Sequence, residues 1–293
     1  MRKKFIEILK KKIDKNKKIF LIVGDLGFNV VEPISKNFPK NFLNVGIAEQ
    51  NMAGIAAGIA SEGYHVFIYS IANFPTFRCA EQIRNDIDYH KLNVTIVSVG
   101  AGLGYGHQGY SHHAIQDYSL MRSFPNMEIL SPGDDVELDF CMNYCFKKPG
   151  PKYLRLDKDE IKDNKFKKKI NLHKGSLRKI ISKSKKKIIL STGNCIDYAI
   201  KLNQKKQFKD FSVYSMPIWS MKSKLNIKKV IKSFSDILVV ENHLEDGGFS
   251  SWLRELNGNN KLTNIRSFSL SNQVVGKVGD KNYLEKKYFS LNN

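Results

Sequence analysis

The 293-residue chain is long enough for two α/β domains, each with a core of its own. Its 48 Lys and Arg against 28 Asp and Glu give a net charge of +20, and 42% of its residues are hydrophobic. Because no apolar run is long enough to span a bilayer, a soluble protein is expected and a membrane protein is not. The lysines fall on linkers and helix exteriors rather than among aromatics, so nucleic acid is not the expected partner. A phosphorylated substrate or an acidic partner subunit is a better use of the charge. The cysteines Cys79, Cys141, Cys145 and Cys195 are scattered without zinc spacing and read as reduced core thiols of a cytoplasmic protein. No metal site is expected within the chain.

The first ten residues read as a basic amphipathic helix without the apolar region or cleavage site of a signal peptide. Phe20–Val23 is a short β-branched run ending at Gly24-Asp25, the mark of a parallel strand with a functional loop at its C-terminal end. A helix follows from Glu49. Strands are expected near 66–69, 94–99 and 127–130, with helices at about 80–87 and 113–122 between them. Strands alternating with helices argue a doubly wound parallel sheet. The first domain is expected to cover residues 1–157. Residues 158–186, rich in lysine, read as a charged connector. A second αβ pattern over 187–293 has strands near 188–190, 211–214 and 237–240, and a helix opening at Gly247-Gly248.

Three stretches carry candidate chemistry. In Asn44-Val45-Gly46-Ile47-Ala48-Glu49-Gln50-Asn51-Met52, one carboxylate enters small, apolar surroundings at a helix start. Met52, Ile55, Ala56 and Ile59 fall at helical spacing and the helix is expected to be buried on most sides. Glu49 is either a first-turn helix cap or an acid whose proton affinity is tuned by the helix dipole and burial. Ile71-Ala72-Asn73-Phe74-Pro75-Thr76-Phe77 follows a strand at the sheet edge where α/β folds bind ligands, and its phenylalanines are either core or a platform for a flat ring. The glycine-rich run from Gly100 to His113 holds His107, His112 and His113, which can trade protons near neutral pH or, with a further ligand, hold a metal.

Taken together, GIAEQNMAGIAAGIA, the Phe74 loop with the following Arg78-Cys79-Ala80-Glu81-Gln82-Ile83-Arg84, and the loop through Ser111-His112 resemble the pyrimidine-binding domain of transketolase-type thiamine diphosphate enzymes. The order of residues 187–293 is similar to their C-terminal domain. The resemblance implies two doubly wound domains. It implies that Glu49 promotes the cofactor tautomer that forms the ylid, and that Phe74 stacks on the aminopyrimidine, with Phe77 and Ile71 at the flanking aromatic positions. It further implies that His112 handles substrate protons and that a basic residue, Arg155 or Lys158, holds a substrate phosphate. The family's magnesium and diphosphate domain has no counterpart before residue 44. The resemblance therefore implies the C-terminal (B) subunit of a split transketolase-like transferase. Its N-terminal (A) partner would bring the thiamine diphosphate and magnesium ligands in a dimer of heterodimers. Close alternatives are a 2-oxoacid dehydrogenase beta subunit, a 1-deoxyxylulose-phosphate synthase relative, or a non-catalytic regulatory subunit.

Two positions depart from the family. Gln108 stands where transketolases carry a donor-reading aspartate, and Gly100 where many carry a histidine. With His107 as a replacement contact, Gln108 points to a specialised sugar pathway, such as surface-glycan precursor synthesis, rather than the central pentose phosphate route.

Overall fold

The computed structural model describes residues 1–158, 177–258 and 263–292. The opening segment forms the helix Arg2–Lys15, which buries Phe5, Ile6, Leu9 and Ile13 and leaves its lysines outward. The first half of the chain then supplies β1 (Ile19–Val23), β2 (Phe42–Asn44), β3 (His65–Ile71), β4 (Val94–Val99), β5 (Glu128–Leu130) and β6 (Lys152–Leu156). The second half supplies β7 (Arg178–Ile181), β8 (Lys187–Ser191), β9 (Ser212–Ser215), β10 (Ile218–Ser220), β11 (Asp236–Leu244), β12 (Asn264–Leu270) and β13 (Phe289–Asn292).

These strands build two sheets with helices packed over them, the expected α/β architecture. One is seven-stranded in the order β10-β5-β6-β4-β3-β1-β2, the other six-stranded in the order β13-β12-β11-β8-β9-β7. Neighbours are parallel except where β10, β13 and β7 join as antiparallel edge strands. All of β4 and β6 is buried, as strands covered on both faces must be, and the polar residues they carry, such as Thr95, Ser98 and Arg155, are buried with them.

Four details differ from expectation. Arg178–Ile181, placed in the charged connector, is an edge strand paired with β9, while residues 159–176 of that connector lie outside the described residues. The helix expected at 113–122 begins only at Asp117, because Ala114 is bridged to Ala101 and Gly102 in extended backbone. The segment expected as a helix at 80–87 starts as one α-helical turn and widens into a π-helix over Ile83–Asp88. The helix Glu49–Ser61 buries Met52, Ala53, Ala56, Ala57 and Ala60, but its other face, with Gly54 and Gly58, is open.

The two halves share one core. Trp219 of β10 is fully buried and packs against Tyr118 of the first half at 5.2 Å between ring centroids, and against Phe249 and Trp252 of the second at 5.1 and 5.2 Å. Arg155 on β6 crosses the same boundary. It donates to Asp117 Oδ2 at 2.6 Å, to the Ala114 carbonyl at 2.6 Å and to the Asn242 carbonyl of β11 at 2.9 Å. Glu241, at the end of the same parallel run, accepts from the backbone N–H groups of Phe249 and Ser250 at 2.6 and 2.8 Å, an acid at a helix start. Burial still raises its pKa to about 7. The glycines of Gly247-Gly248 are structural: a Cβ on Gly248 would come 2.4 Å from Glu241 and one on Gly247 2.2 Å from Ser119.

Candidate active site

The candidate residues come from loops at the C-terminal ends of β2, β3, β4 and β6, all parallel members of one sheet, where open α/β sheets form their ligand crevices. Glu49 opens the helix after β2 and is only 4% exposed. Its carboxylate is not spent on capping: Oε1 accepts from Arg78 Nη1 at 2.9 Å. The Arg78 guanidinium, in turn, lies 3.7 Å from the centroid of the Phe74 ring. His112 meets that same ring edge-on at 5.0 Å. Glu49, Phe74 and His112 thus lie along one line of contacts, with Arg78 between the acid and the ring. Beside them a cavity of about 440 Å³ is lined by Ile47, Ala48, Glu49, Gln50, Asn51 and Arg78.

Local bonding explains the arrangement. Asn73 Nδ2 donates to the carbonyls of His113 at 2.8 Å and Ser111 at 3.2 Å, tying the loop after β4 onto the loop after β3. Thr76 Oγ1 donates to the Ala72 carbonyl at 2.9 Å and closes the Phe74 turn. His113 is buried with Nε2 donating to the Gly106 carbonyl at 3.2 Å, so it holds the loop's shape. His112 remains partly open, its Nδ1 2.9 Å from Ser111 Oγ. Its proton affinity is lowered, first by burial and then by the positive charge of Arg78. At neutral pH the ring is therefore an uncharged proton acceptor. Activity that needs this neutral ring is expected to keep its full value down to a lower pH than an ordinary imidazole would allow. A pH profile whose acid limb sits at or above the ordinary histidine range would contradict this.

The remaining candidates divide. His107, Gln108 and Lys158 line a second cavity of about 390 Å³ together with Tyr105 and Lys281. Lys158 Nζ lies 4.7 Å from the Tyr105 ring centroid, and His107 Nε2 is 3.9 Å from Asp280. Arg155 is not in this cavity. At 1% exposure, and bonded to Asp117, Tyr118, Ala114 and Asn242, it is walled off from a phosphate in that cavity. Phe77 is 46% exposed, its backbone N–H donating to the Asn73 carbonyl at 3.0 Å, and Ile71 ends β3, where its carbonyl accepts from Phe74 N at 2.8 Å.

Sequence reasoning gave no role to Arg78, Tyr105 or Asn73. Tyr105 explains the Gly100 departure. Gly100 has φ +96°, and a Cβ there would come 2.2 Å from the Tyr105 ring, so the tyrosine fills the volume a histidine at 100 would need. Glycine at 100 and an aromatic five residues on was the signal available. Nothing in the sequence marked Asn73.

Comparison with known proteins agrees with this geometry. Residues 1–163 match the transketolase pyrimidine-binding domain family. The chain is 31% identical over 292 residues to a putative transketolase C-terminal section from Methanocaldococcus jannaschii, covering 98% of this chain and 91% of that protein. It is 29% identical over 236 residues to the B subunit of an apulose-4-phosphate transketolase from Actinobacillus succinogenes, covering 77% and 73% of the two chains. Among solved structures, a split-gene transketolase described as an inactive beta4 tetramer superposes with a TM-score of 0.83 at 27% identity, covering 98% of this chain and 92% of that one. The fold is that of a pyrimidine-binding domain followed by a C-terminal α/β domain. This chain belongs to the transketolase family, as its C-terminal section.

Proposed function

We propose that the chain is the B subunit of a split transketolase-like enzyme that transfers a two-carbon ketol unit between sugar phosphates. A separate A subunit would supply the diphosphate and magnesium ligands, and the two would assemble as a dimer of heterodimers. The observation that carries this reading is the meeting of a buried acid, an aromatic face and a neutral imidazole at one sheet edge. These residues fit the pyrimidine half of thiamine diphosphate. Glu49 is a carboxylate in low-dielectric surroundings next to an open cavity, and Phe74 already presents a face to a flat, nitrogen-rich group. When bound, the cofactor supplies the carbanion chemistry that protein side chains lack.

The chain's own residues divide the remaining work. Glu49 would hold the cofactor's aminopyrimidine and its proton, Phe74 would set the plane of that ring, and His112 would accept and return a substrate hydroxyl proton. Lys158 holds a substrate phosphate in the cavity it shares with His107 and Gln108. Gln108, neutral where the family has an aspartate, reads the sugar without charge. Support for an uncommon sugar comes from the relatives, among which are the B subunit of an apulose-4-phosphate transketolase and a 6-deoxy-6-sulfo-D-fructose transketolase subunit.

The test is to isolate the native complex, identify the copurifying chain and assay the reconstituted pair with a panel of ketose phosphate donors. A chain that turns over alone as a homomer would sink the split-subunit reading. A wild type that favours xylulose 5-phosphate, with Gln108→Asp changing nothing, would make the departure neutral. Phe74→Ala is expected to weaken thiamine diphosphate binding to the pair by about 1 kcal/mol beyond the lost area, roughly fivefold in Kd. An unchanged Kd by fluorescence titration would return Phe74 to a packing role.

A further inference from the structure

Arg78 makes two contacts that the proposed function assigns to something else. Its Nη1 donates to Glu49 Oε1 at 2.9 Å, and its guanidinium plane covers the Phe74 ring at 3.7 Å. A guanidinium and an aminopyrimidine share three properties: both are flat, both present nitrogens along one edge that can hydrogen-bond a carboxyl group, and both stack on an aromatic face. The geometry points to Arg78 as a placeholder for the cofactor's aminopyrimidine, occupying its acid and its stacking platform until the cofactor displaces it. This inference rests on the thiamine reading of the site.

Physical chemistry supplies a reason for such a residue. With no base bound, Glu49 would be a nearly buried carboxylate without a counter-charge, which is costly. Arg78 neutralises it. Yet the arginine side chain is 46% exposed while its partner is 4% exposed, so the cation is held from the solvent side. It can leave along the open cavity it lines without disturbing the core. The pairing is thus strong enough to keep the empty site ordered and weak enough to be exchanged. Arg78 acts on the site through Glu49 and Phe74 and is a positioning residue of the cofactor-free state.

Two measurements test this. In the reconstituted pair, thiamine diphosphate with magnesium is titrated into wild type, Arg78→Met and Arg78→Lys and followed by intrinsic fluorescence. Arg78→Met is expected to bind about fivefold more tightly, the factor that corresponds to releasing a half-exposed ion pair, with Arg78→Lys between the two. In the isolated chain, Arg78→Met is expected to lower Tm by a few degrees, and Glu49→Gln in the same chain to restore it, because the uncompensated carboxylate is then gone. Equal or weaker cofactor binding by Arg78→Met overturns the placeholder role and makes Arg78 a holding residue of the loaded site. If wild type binds but Arg78→Met gains nothing, the placeholder alone fails. If wild type binds no thiamine diphosphate, the thiamine reading itself fails and the placeholder falls with it.

Discussion

Glu49→Gln is expected to lower kcat of the reconstituted pair by about 10²- to 10⁴-fold, the range that a positioned proton-transfer group contributes, with the chain still folded. Glutamine keeps the shape of the side chain and its carbonyl can still accept from Arg78, so the fold loses little. What disappears is the carboxylate at the one buried position facing the open cavity. Steady-state rates together with thiamine diphosphate affinity separate this from Phe74→Ala. The glutamine variant should lose turnover with affinity changed only a few-fold, whereas the alanine variant should lose affinity first. Near-normal turnover by Glu49→Gln would remove the acid from the proposed mechanism.

Arg155→Met should be the most damaging single change to the fold, at about 3–5 kcal/mol of unfolding free energy, because it strands a buried charge. Asp117 is 0% exposed. It would keep the hydrogen bond from the Tyr153 hydroxyl at 2.5 Å but lose its cation, while the Asn242 carbonyl would lose the Arg155 donor and the Ala114 carbonyl would keep only the one from Gly102 N. Arg155→Lys should rescue only in part, since a single ammonium cannot reach three acceptors held by a planar fork. Pairing Asp117→Asn with Arg155→Met should recover part of the loss, because the stranded charge goes with it. Urea midpoints at an unchanged m value would measure this, and a loss under about 1 kcal/mol would mean that Arg155 is not the tie between the halves.

Much of this was readable from residue order. Valine- and isoleucine-rich runs such as Val94–Val99 announce buried parallel strands, and a carboxylate at the head of a small-residue helix announces a candidate site. Short or edge strands were not legible. β10 is three residues after a proline, too short for any period, and β7 sits beside a lysine-rich tract whose composition argues for a loop. Arg155 and Lys158, three residues apart at the end of one strand, could not be ranked from sequence. Burial separates them, since one is walled in by Asp117 and the other opens on a cavity beside Tyr105. Arg78 escaped notice because its role depends on two partners 29 and four residues away in the chain, contacts that no local pattern encodes.

The antiparallel β10, contributed by the second half to the rim of the first half's sheet, bears on how the molecule could ever be divided. A fragment ending near residue 157 would carry Glu128–Leu130 with its outer hydrogen-bonding row bare, next to the hydrophobic seat vacated by Trp219. Such an unpaired rim is a template for sticking to copies of itself. The connector between the halves is therefore a poor place for a gene break, a protease nick or a circular permutation, even though its composition makes it look like the natural seam. Two pieces cut there would have to find each other to cover that rim and fill that seat.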